Sequence, residues 1–306
     1  MFYYCLDYIG NQKVTVILKK GNNLKFPKRN NYIFIEIDNF LQLLLFIFAR
    51  KYDLIYTPTP HPIPFATKQI VTLHDFFPFM GFKGAVKYLL FLIAAITSQA
   101  KIVLINKFIK SKIYIKVIPL KKIYGPNPIK ISNNISNVKK KSYKIGLVGT
   151  DSTKKNYEKL FEILPNNIIK NFAIYGNVTD YSIKIINKFG LYGLIKVNSE
   201  EHDIEGFINS CDGVVSVARG EGYGRAIALS ILHRKPVFLI NDPVFKEFFY
   251  GSAKFYDTID LLVEDITYLI KHKKINSVKV DIKSFKKKIK LINKNFDLAK
   301  EEIFGN

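Results

Sequence analysis

Short apolar runs alternate with helical patterns through the second half of the chain. Strands that are buried on both faces are apolar throughout, and such strands are typical of parallel sheets. The runs are KIGLV (144–148), NFAIYG (171–176), GLIKV (193–197), GVVSV (213–217) and PVFLI (236–240). Helical patterns lie between them, over residues 154–164, about 200–210 and 223–233. This alternation predicts an α/β domain whose parallel sheet is covered by helices.

The first half has a similar but less regular pattern. Its strand candidates are FYYCLDY (2–8), KVTVIL (13–18), YIFIEI (32–37), DLIY (53–56), QIVTL (69–73), KIVLI (101–105) and YIKVI (114–118). Its helix candidates cover residues 39–50 and 83–99. We therefore expect a second α/β domain in this half.

The stretch GPNPIKISNNISNVKKKS, residues 125–142, is rich in Pro, Asn, Ser and Lys. This composition is typical of a connection between domains, so we divide the chain into domains over residues 1–135 and 142–280. The tail over residues 281–306 has helical spacing. It places Phe285, Ile289, Ile292 and Phe296 on one face.

The 306 residues are 48% hydrophobic, which is enough to bury the cores of two modest domains. The apolar runs at 40–49 and 88–96 are too short to span a bilayer, which takes roughly 20 residues. The first ten residues have no basic region ahead of an apolar run, so we expect no signal peptide. Cys5 and Cys211 lie in different halves and form no metal-ligand spacing. These features favour a reduced, cytoplasmic, enzyme-sized protein without a structural metal.

Positive charge is concentrated in the first half. The formal net charge is +22, and residues 1–140 carry 21 Lys and Arg against 5 Asp and Glu. Residues 141–306 carry 26 against 20. Two interpretations stay open. The lysines serve solubility, or the first half faces an anionic partner such as a phospholipid surface, a phosphorylated acceptor or nucleic acid.

The stretch VARGEGYG, residues 217–224, follows the strand predicted over residues 213–217. Ligands of parallel sheets bind at the carboxyl ends of the strands, and glycines let the backbone approach a ligand closely. Glu221 can accept hydrogen bonds from sugar hydroxyls, and Arg219 and Arg225 can pair with phosphate oxygens. The alternative is a tight turn between strand and helix with solvated charges.

Two further stretches follow predicted strands in the same way. GTDSTKKN, residues 149–156, places Lys154 and Lys155 beside a predicted helix N-terminus, where the helix dipole does not favour cations. A bound phosphate would turn this arrangement to advantage, whereas surface lysines in a lysine-rich protein are the alternative. IVTLHDFFPF, residues 70–79, places His74 and Asp75 directly after a strand, and a satisfied histidine beside a capping aspartate is the alternative there.

The order of these stretches resembles a known family. VTLHDFFP, IGLVGTDSTKKNYEKL and RGEGYGRAIALSILHRKPV are similar to blocks of the retaining GT-B glycosyltransferases of the glycosyl-transferases group-one type, which include relatives of glycogen synthase. The run SEEHDIEGFINSCDGVVSVARGEGYG resembles the family's approach to the last block. The resemblance covers most of residues 50–250, and its motifs are specific in the second half.

The resemblance implies a GT-B fold of the α/β class, with two Rossmann-like domains whose parallel sheets face a central cleft. The domain over residues 1–135 would bind the acceptor, and the domain over residues 142–280 would bind the nucleotide-sugar donor. The helix over residues 281–306 would pack back on the N-terminal domain. This arrangement would account for both the amphipathic tail and the basic first half.

The resemblance also assigns roles to single residues. Lys155 matches the lysine that holds the donor diphosphate, and Glu221 matches the first acid of a two-glutamate motif that contacts the donor sugar. His74 matches the first-domain histidine near the reacting centre, so the implied catalytic residues are His74, Glu221 and Lys155. The implied donor-binding residues are Gly149, Thr150, Lys155, Arg219, Glu221, Gly222, Tyr223, Gly224 and Arg225.

The sequence departs from the family pattern at three places. The second glutamate, which holds the ribose, falls on Leu229, and the arginine that partners the phosphate lysine falls on Thr150. The N-terminal glycine-rich loop is reduced to Ile9–Gly10–Asn11. Arg219 or Arg225 is a candidate for the missing cation.

The implied activity is hexosyl transfer, with retention, from a UDP- or GDP-sugar to a glycan, lipid-linked or protein-linked acceptor hydroxyl. No metal or other cofactor is implied, because cationic side chains and helix amides would stabilise the leaving phosphate. The expected location is the cytoplasm, as a peripheral protein at the inner membrane surface. Two alternatives stay open: a sugar transferase that acts on nucleic acid, suggested by the basic first half, and a non-catalytic binding module, suggested by Leu229 and Thr150.

Overall fold

The computed structural model describes residues 12–21, 30–66, 68–129, 143–150, 153–192, 196–198 and 204–304. The strand predicted over residues 2–8, the loop at Ile9–Gly10–Asn11 and residues 130–142 of the predicted connection lie outside them. The chain divides into two compact units. The first comprises Met1–Ile105, Ile109–Pro128 and Lys294–Asn306, and the second comprises Asn106–Phe108 and Ile129–Asn293. The boundaries at residues 135, 142 and 280 stay predictions.

The first unit contains two parallel sheets. Its strands are β1 (Val14–Lys19), β2 (Tyr32–Ile37), β3 (Ile55–Thr57), β4 (Gln69–Leu73), β5 (Lys101–Leu104) and β6 (Lys122–Tyr124). Strands β1 and β2 pair with each other, and the other four form a sheet in the order β3-β4-β5-β6. Its helices are α1 (Phe40–Phe48), α2 (Gly81–Thr97), α3 (Lys107–Ser111), whose first two residues are grouped with the second unit, and α4 (Ile113–Lys116).

The strand predicted over residues 114–118 is wrong, because most of this segment lies in α4 and in the turn after it. Ile115 and Ile118 are both buried, and their spacing of three places them on one side of a helical turn rather than of a strand. The Tyr114 ring stacks on Phe76 with centroids 4.1 Å apart, and its carbonyl accepts a hydrogen bond from the Tyr88 hydroxyl at 2.6 Å. Tertiary contacts therefore override the strand propensity of this segment.

The second unit is built around one six-stranded parallel sheet. Its strands are β7 (Tyr143–Val148), β8 (Phe172–Tyr175), β9 (Lys196–Asn198), β10 (Cys211–Ser216), β11 (Val237–Ile240) and β12 (Lys254–Tyr256). Its helices are α5 (Tyr157–Ile163), α6 (Asn166–Ile169), α7 (Asp180–Lys188), α8 (Ile204–Ser210), α9 (Arg225–Leu232), α10 (Pro243–Phe249) and α11 (Ile259–Lys271). The last helix, α12 (Ile282–Phe304), begins in this unit, and its residues from Lys294 onward are grouped with the first unit. All five strands predicted for this half have a counterpart in the sheet, although residues 193–195 of the third lie outside the described residues.

The strand order of this sheet is β12-β11-β10-β7-β8-β9. The chain runs outward from β7 through β8 to β9, returns to the other side of β7, and runs outward again from β10 to β12. This is the doubly wound Rossmann order, and its direction reverses between β7 and β10. Such a reversal opens a crevice at the carboxyl ends of the two strands, and ligands of doubly wound sheets bind in that crevice. The loops after β7 and β10 begin at that point.

The core of the second unit supports these loops from below. The inner strands are almost completely buried, as the apolar runs require, with Ile145 and Leu147 on β7 and Val214 and Val215 on β10 each at most 1% exposed. Burying a side chain of this size stabilises a fold by about 1.5–3 kcal/mol. The loops after β7 and β10 therefore start from fixed positions.

The C-terminal helix α12 confirms the predicted apolar face. Phe285, Ile289, Ile292 and Phe296 are all buried. Phe285 packs on Phe249 of α10 within the second unit, with ring centroids 5.9 Å apart. Further along the helix, Ala299 and Ile303 contribute to an apolar cluster of the first unit, together with Ile70, Val103 and Ile123.

A substitution at Gly176, directly after β8, tests how closely the chain packs against the β7 loop. A Cβ atom there would lie 2.5 Å from the Thr150 Oγ1, and the φ of Gly176 is +155°. We expect Gly176→Ala to lower the free energy of unfolding by about 2–4 kcal/mol, because strain and steric overlap add. Urea denaturation measures this change.

Gly190 provides the matched control. Its φ is +58°, but a Cβ atom there meets nothing within 4 Å. Gly190→Ala is therefore expected to cost only the strain, about 1 kcal/mol. Equal losses for the two variants would contradict the close contact between Gly176 and Thr150.

Candidate active site

The loops after β7 and β10 meet in the second unit. The Arg219 backbone N–H donates to the carbonyl of Lys154 at 3.0 Å. Lys154 lies in a short 3-10 turn, Thr153–Lys155, which Asn156 separates from α5. Asn156 adopts a left-handed conformation with φ +59°, which asparagine tolerates better than most residues. The helix predicted over residues 154–164 is therefore divided, and the turn holds its lysines beside the glycine-rich loop.

Lys155 and Glu221 form an ion pair across these loops. The Lys155 Nζ lies 2.9 Å from the Glu221 Oε1, and the Lys154 Nζ lies 4.0 Å from Oε2. Each lysine side chain is only 16% exposed, and the Glu221 side chain is 13% exposed. Partial burial strengthens the attraction relative to a surface pair, but it also removes water from both partners. The two residues that the sequence singles out separately are thus direct partners.

Two glycines and a buried aspartate shape the loop around Glu221. Gly220 and Gly224 have φ values of +71° and +88°, which side chains rarely adopt. The Gly220 N–H donates to the Asp242 Oδ2 at 3.3 Å, and the other oxygen of Asp242 accepts from the Val244 N–H at 2.9 Å. Asp242 therefore caps α10 and holds the loop at the same time.

The start of the β7 loop is also fixed by hydrogen bonds. Gly149 has φ +96°, and its carbonyl accepts from the Tyr157 hydroxyl at 2.8 Å. The Thr150 hydroxyl donates to the Asn177 carbonyl at 2.6 Å, and the Thr150 carbonyl accepts from the Thr179 hydroxyl. Thr150 is 3% exposed. Its side chain therefore joins the β7 and β8 loops, where the family pattern has an arginine.

The other donor-binding candidates divide into buried and exposed groups. Tyr223 is buried, and its ring meets that of Phe248 edge to face with centroids 4.4 Å apart. Its side chain anchors the loop in the apolar core. Arg219 and Arg225 are exposed, and Arg225 is the first residue of α9. The two arginines thus remain accessible to a ligand near the loop.

Leu229 occupies the position where the family pattern has a second glutamate. It packs against an apolar cluster that contains Ala173, Phe207, Ile208 and Cys211. A carboxylate at this position would lie against apolar side chains, which is unfavourable without a partner. The leucine is therefore matched to its own surroundings.

His74 lies in the first unit, directly after β4. Its Nε2 is 2.8 Å from the carbonyl oxygen of Pro58. A carbonyl can only accept, so this contact assigns the proton to Nε2. The structure places Lys155 and Glu221 together in the second unit and describes His74 within the first.

Sequence reasoning missed two residues that fix the loop. The sequence gives no specific signal for Asp242, because an aspartate before a proline commonly caps a helix. Asn106, in the segment Asn106–Phe108 of the second unit, is completely buried, and its side-chain amide donates to the Gly222 carbonyl at 2.9 Å. Its position 116 residues before Gly222 leaves no local sequence signal.

Within the described ranges, no group of three or more His, Cys, Asp or Glu side chains is arranged to hold a metal ion.

Comparison with known proteins gives the fold an independent reference. The sequence matches no protein-family model, and no curated protein matches it in sequence. Solved structures match with 13–18% identity in the three cases described next. WaaG, a glycosyltransferase involved in lipopolysaccharide biosynthesis, matches with a TM-score of 0.65 over 92% of this chain and 89% of its own, at 13% identity.

Two structures with bound nucleotide also match. HepE from Anabaena, solved with UDP and glucose, has a TM-score of 0.59 at 18% identity, over 89% of this chain and 84% of its own. A mutant of TarM from S. aureus, solved with fondaparinux, alpha-GlcNAc-glycerol and UDP, has a TM-score of 0.58 at 15% identity. That match covers 76% of this chain but only 50% of TarM. The chain therefore has the GT-B fold, with two Rossmann-like units, and spans about half the length of TarM.

The Lys155–Glu221 pair can be tested without any ligand. We expect a double-mutant cycle with Lys155→Met and Glu221→Gln to give a coupling energy of about 1–2 kcal/mol, because the pair is largely shielded from water. The measurement is the free energy of unfolding of the four variants in urea.

The control cycle uses Lys188 and Glu162, which are 3.0 Å apart but 44% and 51% exposed. Solvent screening should make its coupling clearly smaller. A coupling for Lys155–Glu221 no larger than the control value would show that the two loops are not held by this pair.

Proposed function

We propose that this protein is a glycosyltransferase that moves a hexosyl group from a UDP- or GDP-sugar to an acceptor hydroxyl. The observation that carries the proposal is the Lys155–Glu221 pair at the carboxyl ends of β7 and β10. It unites a cation for a diphosphate and a carboxylate for sugar hydroxyls at the point where doubly wound sheets bind ligands. The GT-B fold shared with HepE and TarM, which were solved with UDP, supports the nucleotide.

Donor binding would exchange the partners of this ion pair. Lys155 now neutralises Glu221 at 2.9 Å. A diphosphate carries more charge than one carboxylate, so it would attract the Lys155 Nζ, and Lys154 is close enough to join it. Glu221 would then be free to accept hydrogen bonds from the sugar hydroxyls. The ion pair thus holds the Lys155 ammonium and the Glu221 carboxylate in position. Only a ligand with both a phosphate and hydroxyl groups would provide new partners for both side chains.

The chemistry follows from the charges that develop. When the bond between the anomeric carbon and the diphosphate breaks, negative charge builds on the leaving phosphate and positive charge on the sugar. Lys155 and the exposed Arg219 or Arg225 would stabilise the phosphate, as would backbone N–H groups of residues 222–224, without a metal ion. The acceptor oxygen forms the new bond on the same face, its proton passes to the phosphate, and the configuration is retained.

The acceptor is proposed to be an anionic or membrane-linked glycan bound by the first half of the chain, which carries most of the positive charge. We therefore propose that the protein works at the inner membrane surface as a peripheral protein. In the part of the chain that the structure describes, no helix has the length and apolarity needed to cross a membrane.

Lys155→Ala and Glu221→Ala should each lower sugar transfer by at least about 100-fold, because removing one preorganised charge from such a site typically costs 10²–10³ in rate. The measurement is release of UDP from a panel of UDP-sugars with purified protein. Lys188→Ala, a lysine of similar type on the exposed face of α7, should leave the rate unchanged. Full activity in either loop variant would remove that residue from the site.

A chelator tests the proposed independence from metals. We expect the rate of UDP release to stay the same after dialysis against EDTA, since the cations of the site are side chains. A rate that falls with EDTA and returns with Mg²⁺ or Mn²⁺ would show that a metal ion carries the phosphate charge instead.

A further inference from the structure

The first unit contains a cavity of about 420 Å³ that the donor site does not use. It lies between the segment that follows β3 and the helix α2, and Phe40 at the start of α1 borders it. The volume falls within the range of about 300–1,000 Å³ that is typical of small-molecule sites. The walls are mostly apolar, and four prolines contribute to them: Pro60, Pro62, Pro64 and Pro78.

Two nitrogen-bearing side chains border this apolar space. They are His61 and Lys87, and the described residues that line the cavity include no carboxylate. Both side chains line the same cavity, and burial together with the nearby charge of Lys87 lowers the pKa of His61. At neutral pH the neutral His61 ring can donate one hydrogen bond beside the ammonium group of Lys87. This combination suits an anion at the edge of the cavity.

An exposed apolar surface surrounds the cavity. On α2, Leu89, Leu90 and Ile93 are at least 50% exposed, and on α1 Phe40 and Leu41 are more than half exposed. Phe40, Leu90 and Ile93 also line the cavity, so the surfaces of the two helices are continuous through it. A protein that acts alone in water rarely exposes an apolar patch of this kind.

We propose that this cavity binds a lipid phosphate, with the hydrocarbon chain against the prolines and Leu90 and the phosphate on Lys87 and His61. Charge complementarity selects this occupant, because an apolar partner alone would leave the two nitrogen groups without a role. One part of this proposal rests on the proposed function, namely that the lipid phosphate would carry the acceptor sugar. Binding of the lipid itself does not require transfer activity.

The test is a calorimetric titration of the 306-residue chain with farnesyl phosphate, farnesol and inorganic phosphate. We expect farnesyl phosphate to bind at least about tenfold more tightly than either part alone, because each part satisfies only half of the cavity. Equal binding of farnesol would overturn the phosphate contact. Equal binding of inorganic phosphate would overturn the role of the cavity, and so would no binding of farnesyl phosphate.

Variants localise the site. Lys87→Gln should weaken farnesyl phosphate binding about tenfold, which corresponds to about 1.4 kcal/mol, because a charge-assisted hydrogen bond to the phosphate is lost. Leu90→Asp should weaken it further by placing a carboxylate in the apolar wall. Lys110→Gln, an exposed lysine that does not line the cavity, is the control and should bind as the original protein does. Melting temperatures confirm that each variant is folded.

Unchanged binding in folded Lys87→Gln and Leu90→Asp would overturn the proposal. A dimer that Leu90→Asp dissociates, together with no binding of farnesyl phosphate, would also overturn the proposal. The apolar patch would then be the contact surface for a second copy of the chain. UDP titration of the same samples separates this inference from the donor site. Loss of UDP binding with intact lipid binding would count against the proposed function and not against this cavity.

Discussion

One ion pair connects the two loops of the second unit on which the proposed activity depends. Lys155 reaches Glu221 at 2.9 Å because β7 and β10 are neighbours in the sheet, although the two residues are 66 positions apart. The doubly wound order makes these strands adjacent and sends the chain in opposite directions after them. The ion pair is therefore a consequence of topology as much as of the two side chains.

The residues around the ion pair fix the positions of the loops after β7 and β10. Asp242 fixes Gly220, Tyr223 is anchored among aromatic rings, and Thr150 joins the β7 loop to the β8 loop. Rigid loops matter for electrostatic stabilisation, because charges that are already in place need no reorganisation when the reaction begins. The same construction explains two departures from the family pattern. The Thr150 hydroxyl is bonded to the Asn177 carbonyl and Leu229 packs on an apolar cluster, so in the proposed function other residues would contact the phosphate and the ribose.

The sequence predicted the second unit well, since strands buried on both faces leave an unambiguous apolar signal, and the tail helix was predicted from its spacing. It failed at residues 114–118, where contacts with Phe76 and Tyr88 decide the conformation. The order of the motifs indicated that Lys155 and Glu221 both follow strands of one sheet, but it did not predict their direct contact. Asn106 and Asp242 were not predictable, because their roles depend on partners far along the chain or on capping geometry common to many helices.

The most direct measurement is a crystal structure of the protein with UDP-glucose. We expect the diphosphate to lie between the loops after β7 and β10. The Lys155 Nζ should have moved from Glu221 to a phosphate oxygen, and the Glu221 carboxylate should lie within hydrogen-bond distance of a sugar hydroxyl. A nucleotide bound elsewhere would contradict the account, and so would a nucleotide bound at these loops while the 2.9 Å pair stays closed.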